Sequence, residues 1–184
     1  SGSNDISNII ARVNGDSASQ IDGLLRSTIS DANLFLINPN GIAFGEGASI
    51  DINGSLHLST ANSITFADDS VLLVSDTGAS GLTTAAPAAF GFGDASAGIT
   101  FNGTQISVDD GDNLDSISVI GGDISLTESS ISLGGGDIEL VATTGETSVA
   151  IDSAARDYSS ISLGNISISN EAADPNKIDL NASG

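Results

Sequence analysis

The run Leu34-Phe35-Leu36-Ile37-Asn38-Pro39-Asn40-Gly41-Ile42-Ala43-Phe44, continued by Ser49-Ile50-Asp51-Ile52, decides the fold. It holds three apolar-x-apolar pairs, Leu34/Leu36, Ile42/Phe44 and Ile50/Ile52. Adding 22 to each number lands on Leu56/Leu58, Ile64/Phe66 and Leu72/Val74, apolar at all six positions. The alternation inside each pair has period two, the signature of a strand, and no stretch carries a helical stripe. Three short strands per 22 residues, with Gly, Asn, Asp and Ser between them, are the mark of stacked coils. An antiparallel sandwich also has short strands, but longer ones joined by tight hairpins.

A second array follows. Ile117/Val119, Ile124/Leu126, Ile131/Leu133 and Ile138/Leu140 stand seven apart, so Ile138/Leu140 is expected to stack over Ile117/Val119. Ile161/Leu163, Ile166/Ile168 and Ile178/Leu180 continue the theme less regularly. The expected architecture is all-β: a right-handed, single-stranded parallel β-helix forming one domain over residues 1–184. At one inter-strand spacing per coil the chain makes roughly seven or eight coils, a rod on the order of 35–40 Å long. Residues 75–97 break the repeat and are read as an excursion packed on the side of the rod through Phe90 and Phe92.

Composition supports this reading and excludes others. Hydrophobic residues make up 39% but aromatics only 4%, so the core is thin and uniform, built of Ile, Leu, Val and Ala. Against 24 Asp and Glu stand 4 Lys and Arg, a net charge of −20, which repels nucleic-acid backbones and anionic lipid. Nucleic acid is excluded as a partner. No run is long and apolar enough to suggest membrane insertion. The absence of cysteine removes disulfides, thiolate metal sites and cysteine nucleophiles. Ser1-Gly2-Ser3 reads as an expression remnant, with a native leader removed.

Catalysis is not expected, and no cofactor is implied. The sole histidine, His57, lies between Leu56 and Leu58 and is expected to face solvent if those leucines face inward. Arg12, Arg26, Arg156 and Lys177 are scattered, and no Gly-x-Ser-x-Gly elbow occurs. The densest acidic cluster, Asp109-Asp110-Gly111-Asp112-Asn113, offers oxygen ligands. Its spacing fails the EF-hand pattern, so it reads as a solvated turn, with Asp109, Asp110 and Asp112 as the calcium candidates. Asn38-Pro39-Asn40-Gly41-Ile42 is a tight corner between two strands: Pro presets φ, and Asn-Gly tolerates positive φ.

Several segments together carry a resemblance. Asn8-Ile9-Ile10-Ala11-Arg12-Val13, Ile21-Asp22-Gly23 and the run from Ala32 to Gly45 resemble the two-partner secretion (TPS) domain of filamentous haemagglutinin-type exoproteins. Gly54-Ser55-Leu56, Ser59-Thr60-Ala61-Asn62 and Gly121-Gly122-Asp123-Ile124 continue it. The likeness is specific between residues 6 and 66, looser to about 145 and weak beyond, and the wording of 34–42 and 87–92 is most similar to the cyanobacterial branch. The resemblance implies an N-terminal secretion domain of a large exported surface protein. Such a domain crosses the periplasm unfolded and is recognised by an outer-membrane TpsB-type transporter through its periplasmic POTRA modules. It folds as a β-helix outside, so the protein is secreted or displayed on the cell surface. Asn38, Pro39, Asn40, Gly41 and Ile42 match the family's hallmark motif. They serve either as a transporter contact or as a turn, and turn chemistry favours the second. The family's N-terminal capping strands and first motif are absent, so the chain reads as a fragment of that domain without its N-terminal cap. The competing reading is an adhesin module that holds glycans or host proteins along the rod flank.

Overall fold

A computed structural model describes residues 6–76, 78, 81–108, 114–169 and 180–182. The chain winds as a parallel β-solenoid of about five turns, three strands to a turn. Turn one comprises β1 (Asn8–Arg12), β2 (Ser19–Ile21) and β3 (Leu24–Ser27). Turn two comprises β4 (Asn33–Ile37), β5 (Ile42–Phe44) and β6 (Ser49–Ile52). Turn three begins with β7 (Gly54–Ser59) and then leaves the rod through β8 (Ser63–Phe66), β9 (Val71–Leu73) and β10 (Pro87–Phe92). It returns in β11 (Ile99–Asn102) and β12 (Gln105–Val108). Turn four is β13 (Leu114–Gly121), β14 (Ile124–Thr127) and β15 (Ser130–Leu133). Turn five starts with β16 (Asp137–Ala142), leaves the rod through β17 (Thr147–Ala150) and two short 3-10 helices, and ends in β18 (Ile166–Ser169) and β19 (Leu180–Ala182).

The strands stack into three faces. The first is β1-β4-β7-β13-β16 and the second β2-β5-β11-β14-β18. The third is split into β3-β6 and β12-β15-β19, with β12 lying against β6. Equivalent residues pair in register: Leu34 with Leu56, Leu36 with Leu58, Ile117 with Ile138, Val119 with Leu140. Period-two alternation puts both members of each pair on the inner side of the face. Leu56 and Leu58 of the first face meet Ile42, Phe44, Ile99 and Phe101 of the second, with Ile106 and Ile131 of the third. Phe44 and Phe101 stack, ring centroids 4.8 Å apart and 9° from parallel. Each buried Leu, Ile or Phe contributes about 1.5–3 kcal/mol over its exposed state.

The two excursions build one structure. β17 from turn five and β8, β9 and β10 from turn three form an antiparallel sheet, order β17-β10-β8-β9. This lateral sheet lies over the outer side of the first face. Between them sits a second core, in which Phe35, Ile37, Ile120 and Val141 of the solenoid meet Ile64, Phe66, Leu72, Phe90, Phe92 and Val149. Phe90 and Phe92 anchor it as expected, at 0% and 4% exposure.

Three expectations need correction. The 22-residue spacing holds for Leu56/Leu58 but not for its companions: Ile64/Phe66 and Leu72/Val74 belong to the lateral core. The places above Ile42 and Phe44 are taken by Ile99 and Phe101. The excursion around 75–97 is present and already begins after β7, so 61 residues separate Leu56 from its partner Ile117. This diversion, with the smaller one in turn five, uses chain that an uninterrupted repeat would have wound into further coils. The rod therefore has about five turns, not seven or eight. Finally, His57 does not face solvent. It is 8% exposed, because the outer side of the first face is roofed by the lateral sheet.

Candidate functional site

The Asn38–Ile42 segment forms the corner between β4 and β5. The Gly41 N–H donates to the Asn38 carbonyl at 3.1 Å, closing a four-residue turn with Pro39 in its second position. The Asn38 side chain is fully buried. Its amide donates to the Ser17 carbonyl and the Ser19 hydroxyl, both at 2.9 Å, and its Oδ1 accepts from the Asn40 N–H at 2.9 Å. Asn40 Nδ2 donates to the Gly15 carbonyl at 2.6 Å. Gly41 has φ of +110°, and a Cβ there would stand 3.2 Å from the Gly98 carbonyl oxygen. Ile42 points into the core between Ser19 and Ile99 in register. The corner thus ties turn one (Gly15, Ser17, Ser19) to turn two, while the Asn38 N–H donates to Ser59 of turn three at 3.0 Å. Asn40 and part of Pro39 are the accessible surface of the motif. The acidic cluster with Asp109, Asp110 and Asp112 lies outside the described residues. Among the described residues no group of three His, Cys, Asp or Glu could hold a metal ion.

A second site was not visible in the sequence. On the outer side of the first face, Phe35, His57, Ser118 and Glu139 occupy the same register on β4, β7, β13 and β16. His57 stacks on Phe35, ring centroids 4.4 Å apart and 16° from parallel. Burial, then the Arg156 charge, lowers its pKa from 6.5 to about 4. His57, Ser118 and Glu139 floor a cleft of about 520 Å³. Pro87, Ile151 and Ala155 of the excursions wall it, with Asp137 and Asp152 at its rim. His57 Nδ1 and Ser118 Oγ have no hydrogen-bond partner.

Two arginines fasten the lateral sheet to the rod. Arg12 of β1 donates to the Leu73 carbonyl at 2.7 Å and to that of Gly78 at 2.5 Å. Arg156 has a fully buried side chain that pairs with Glu139 and donates to the carbonyls of Ala150 at 2.6 Å and Ile151 at 2.9 Å. Basic residues that look scattered along the sequence thus include two with one task. The signal for the covered face was available in Leu34-Phe35-Leu36-Ile37, where apolar residues occupy both sides of one strand.

The chain is thus a three-faced parallel β-solenoid with a sheet laid along one flank and an Asn-Pro-Asn-Gly-Ile corner between β4 and β5. The family model of the TPS secretion domain matches residues 1–183, and the chain belongs to that family. Membership marks it as part of a secreted exoprotein. No curated protein and no solved structure matches it. No helix among the described residues is long and apolar enough to cross a membrane.

Proposed function

We propose that this chain is the export module of a large surface protein, recognised during its passage by the periplasmic POTRA modules of an outer-membrane β-barrel transporter. The match to the TPS secretion domain over residues 1–183 is the observation that carries the reading. The physical character of the chain supports it. A chain with net charge −20, no cysteine and 4% aromatics resists collapse and cross-linking before it crosses the outer membrane. Once outside, the solenoid adds one turn upon another, because most partners lie only 21 to 25 residues apart, as in Ile117 with Ile138 and Asn8 with Asn33. No catalytic step belongs to this reading.

The Asn38–Ile42 corner serves in this proposal chiefly as a folding element, because its buried amide bridges turns one and two. The test is secretion of the chain fused to a reporter, with and without the transporter. Transporter-dependent appearance of the reporter in the medium is the expected result. Export without the transporter, or retention with it, would overturn the proposal. Asn38→Ala is expected to leave capture by immobilised POTRA modules unchanged in mild urea while lowering the yield of folded, protease-resistant product. Loss of capture would assign the motif to transporter contact instead.

A further inference from the structure

The export reading makes no use of the cleft over His57. Among the described residues three buried side-chain atoms lack a hydrogen-bond partner, and two of them, His57 Nδ1 and Ser118 Oγ, stand side by side on its floor. Their residues are 8% and 4% exposed. Buried polar groups are rarely left so, and each invites a partner. We infer that this cleft binds a neutral, hydroxyl-rich ligand of mono- or disaccharide size.

Four observations select that chemistry. A hydroxyl both gives and accepts a hydrogen bond, which is what a neutral imidazole nitrogen and a serine hydroxyl need together. Asp137 and Asp152 at the rim repel anions and accept from further hydroxyls. The one carboxylate on the floor, Glu139, is already paired with Arg156, so a cation gains less there than a neutral hydroxyl does from the two orphan atoms. Ile151, Pro87 and Ala155 give the walls aliphatic surface for the C–H faces of a sugar ring, and about 520 Å³ falls in the range of small-ligand sites.

His57 is the only histidine, so its ring resonances are a single, assigned reporter in NMR of the whole chain. Maltose, lactose, cellobiose and diacetylchitobiose are titrated separately, beside butylammonium and glucuronate. The expected result is a saturable shift of the His57 signal with at least one neutral sugar. Ser118→Ala should weaken that binding about fivefold to tenfold while leaving the melting temperature of the free protein equal or higher, since it removes an unpaired buried hydroxyl. Asp152→Asn, which keeps a capping side chain on an exposed position, should weaken it about threefold. No response to any of the sugars up to about 10 mM would overturn the inference. So would a response to butylammonium or glucuronate alone, or unchanged affinity in Ser118→Ala; the orphan atoms would then be filled by water only.

Discussion

The solenoid interior and the lateral core differ in how their strands are joined, by parallel rungs in the one and antiparallel strands in the other. In the solenoid Leu34 meets Leu56 and Ile117 meets Ile138, so each turn is stabilised by the one just before it. In the lateral sheet Phe90 pairs with Ile64 on one side and Val149 on the other, joining turn three to turn five. The rod can grow turn by turn, but the flank cannot close until β17 is in place. Closure of long loops carries an entropic cost that local stacking avoids. The flank has only four strands, with β17 at one edge and β9 at the other, so it is expected to open before the rod and to expose His57 without unwinding it.

The largest effect expected from this contrast is in the rod. Phe101→Ala removes a fully buried ring and its stack on Phe44, and should cost about 3–5 kcal/mol of global stability in urea unfolding. Phe90→Ala removes an equally buried ring from the flank. It should instead raise amide exchange in β17 and β10 far more than in β5 and β14. Equal loss of protection in both regions would show that rod and flank fold as one unit.

The next effect is the pH response of His57. The fold lowers its pKa from 6.5 to about 4, so the unfolded chain takes up the proton first as pH falls. The stabilisation is complete above pH 6.5 and is lost as pH drops from 6.5 toward 4, to a limit of roughly 3 kcal/mol. The Arg156 charge adds to burial in lowering the pKa. The difference between wild type and His57→Phe, which keeps an aromatic ring against Phe35, isolates the histidine from the many carboxylates. A difference that stays constant between pH 7 and pH 5 would place His57 in water.

Legibility in the sequence follows the same division. Leu34/Leu36 with Leu56/Leu58, and Ile117/Val119 with Ile138/Leu140, were readable because one strand period and one coil length specify them. Ile64/Phe66 and Leu72/Val74 have the same alternation and fit the same 22-residue step, yet they lie in an antiparallel sheet. Alternation reports that a strand has one buried side; it does not report what covers it. The Asn38–Ile42 corner was legible as a turn because Pro, Asn and Gly act on their own backbone. The buried reach of Asn38 to Ser17 and Ser19 was not, being a contact between turns. The cleft was invisible for the same reason: its walls come from residues 87 and 151–155, and its floor from three strands.

Arginine provides a smaller and more local comparison. Arg156→Ala leaves Glu139 and two backbone carbonyls without their partner and should cost about 1–3 kcal/mol, with faster exchange in β17.

The smallest effect is expected at Arg26. Its guanidinium pairs with Asp51 at 2.9 Å, on neighbouring strands β3 and β6, but the two side chains are 58% and 48% exposed. Water solvates both charges in either state, and holding two long side chains together costs entropy. Arg26→Ala should therefore change stability by at most about 0.5 kcal/mol, and less at high salt. The third face is also where the rod is least continuous, with β3-β6 and β12-β15-β19 as separate ladders. A loss at Arg26 as large as that at Arg156 would mean that the ion pair, and not the stacked interior, holds this end of the rod together.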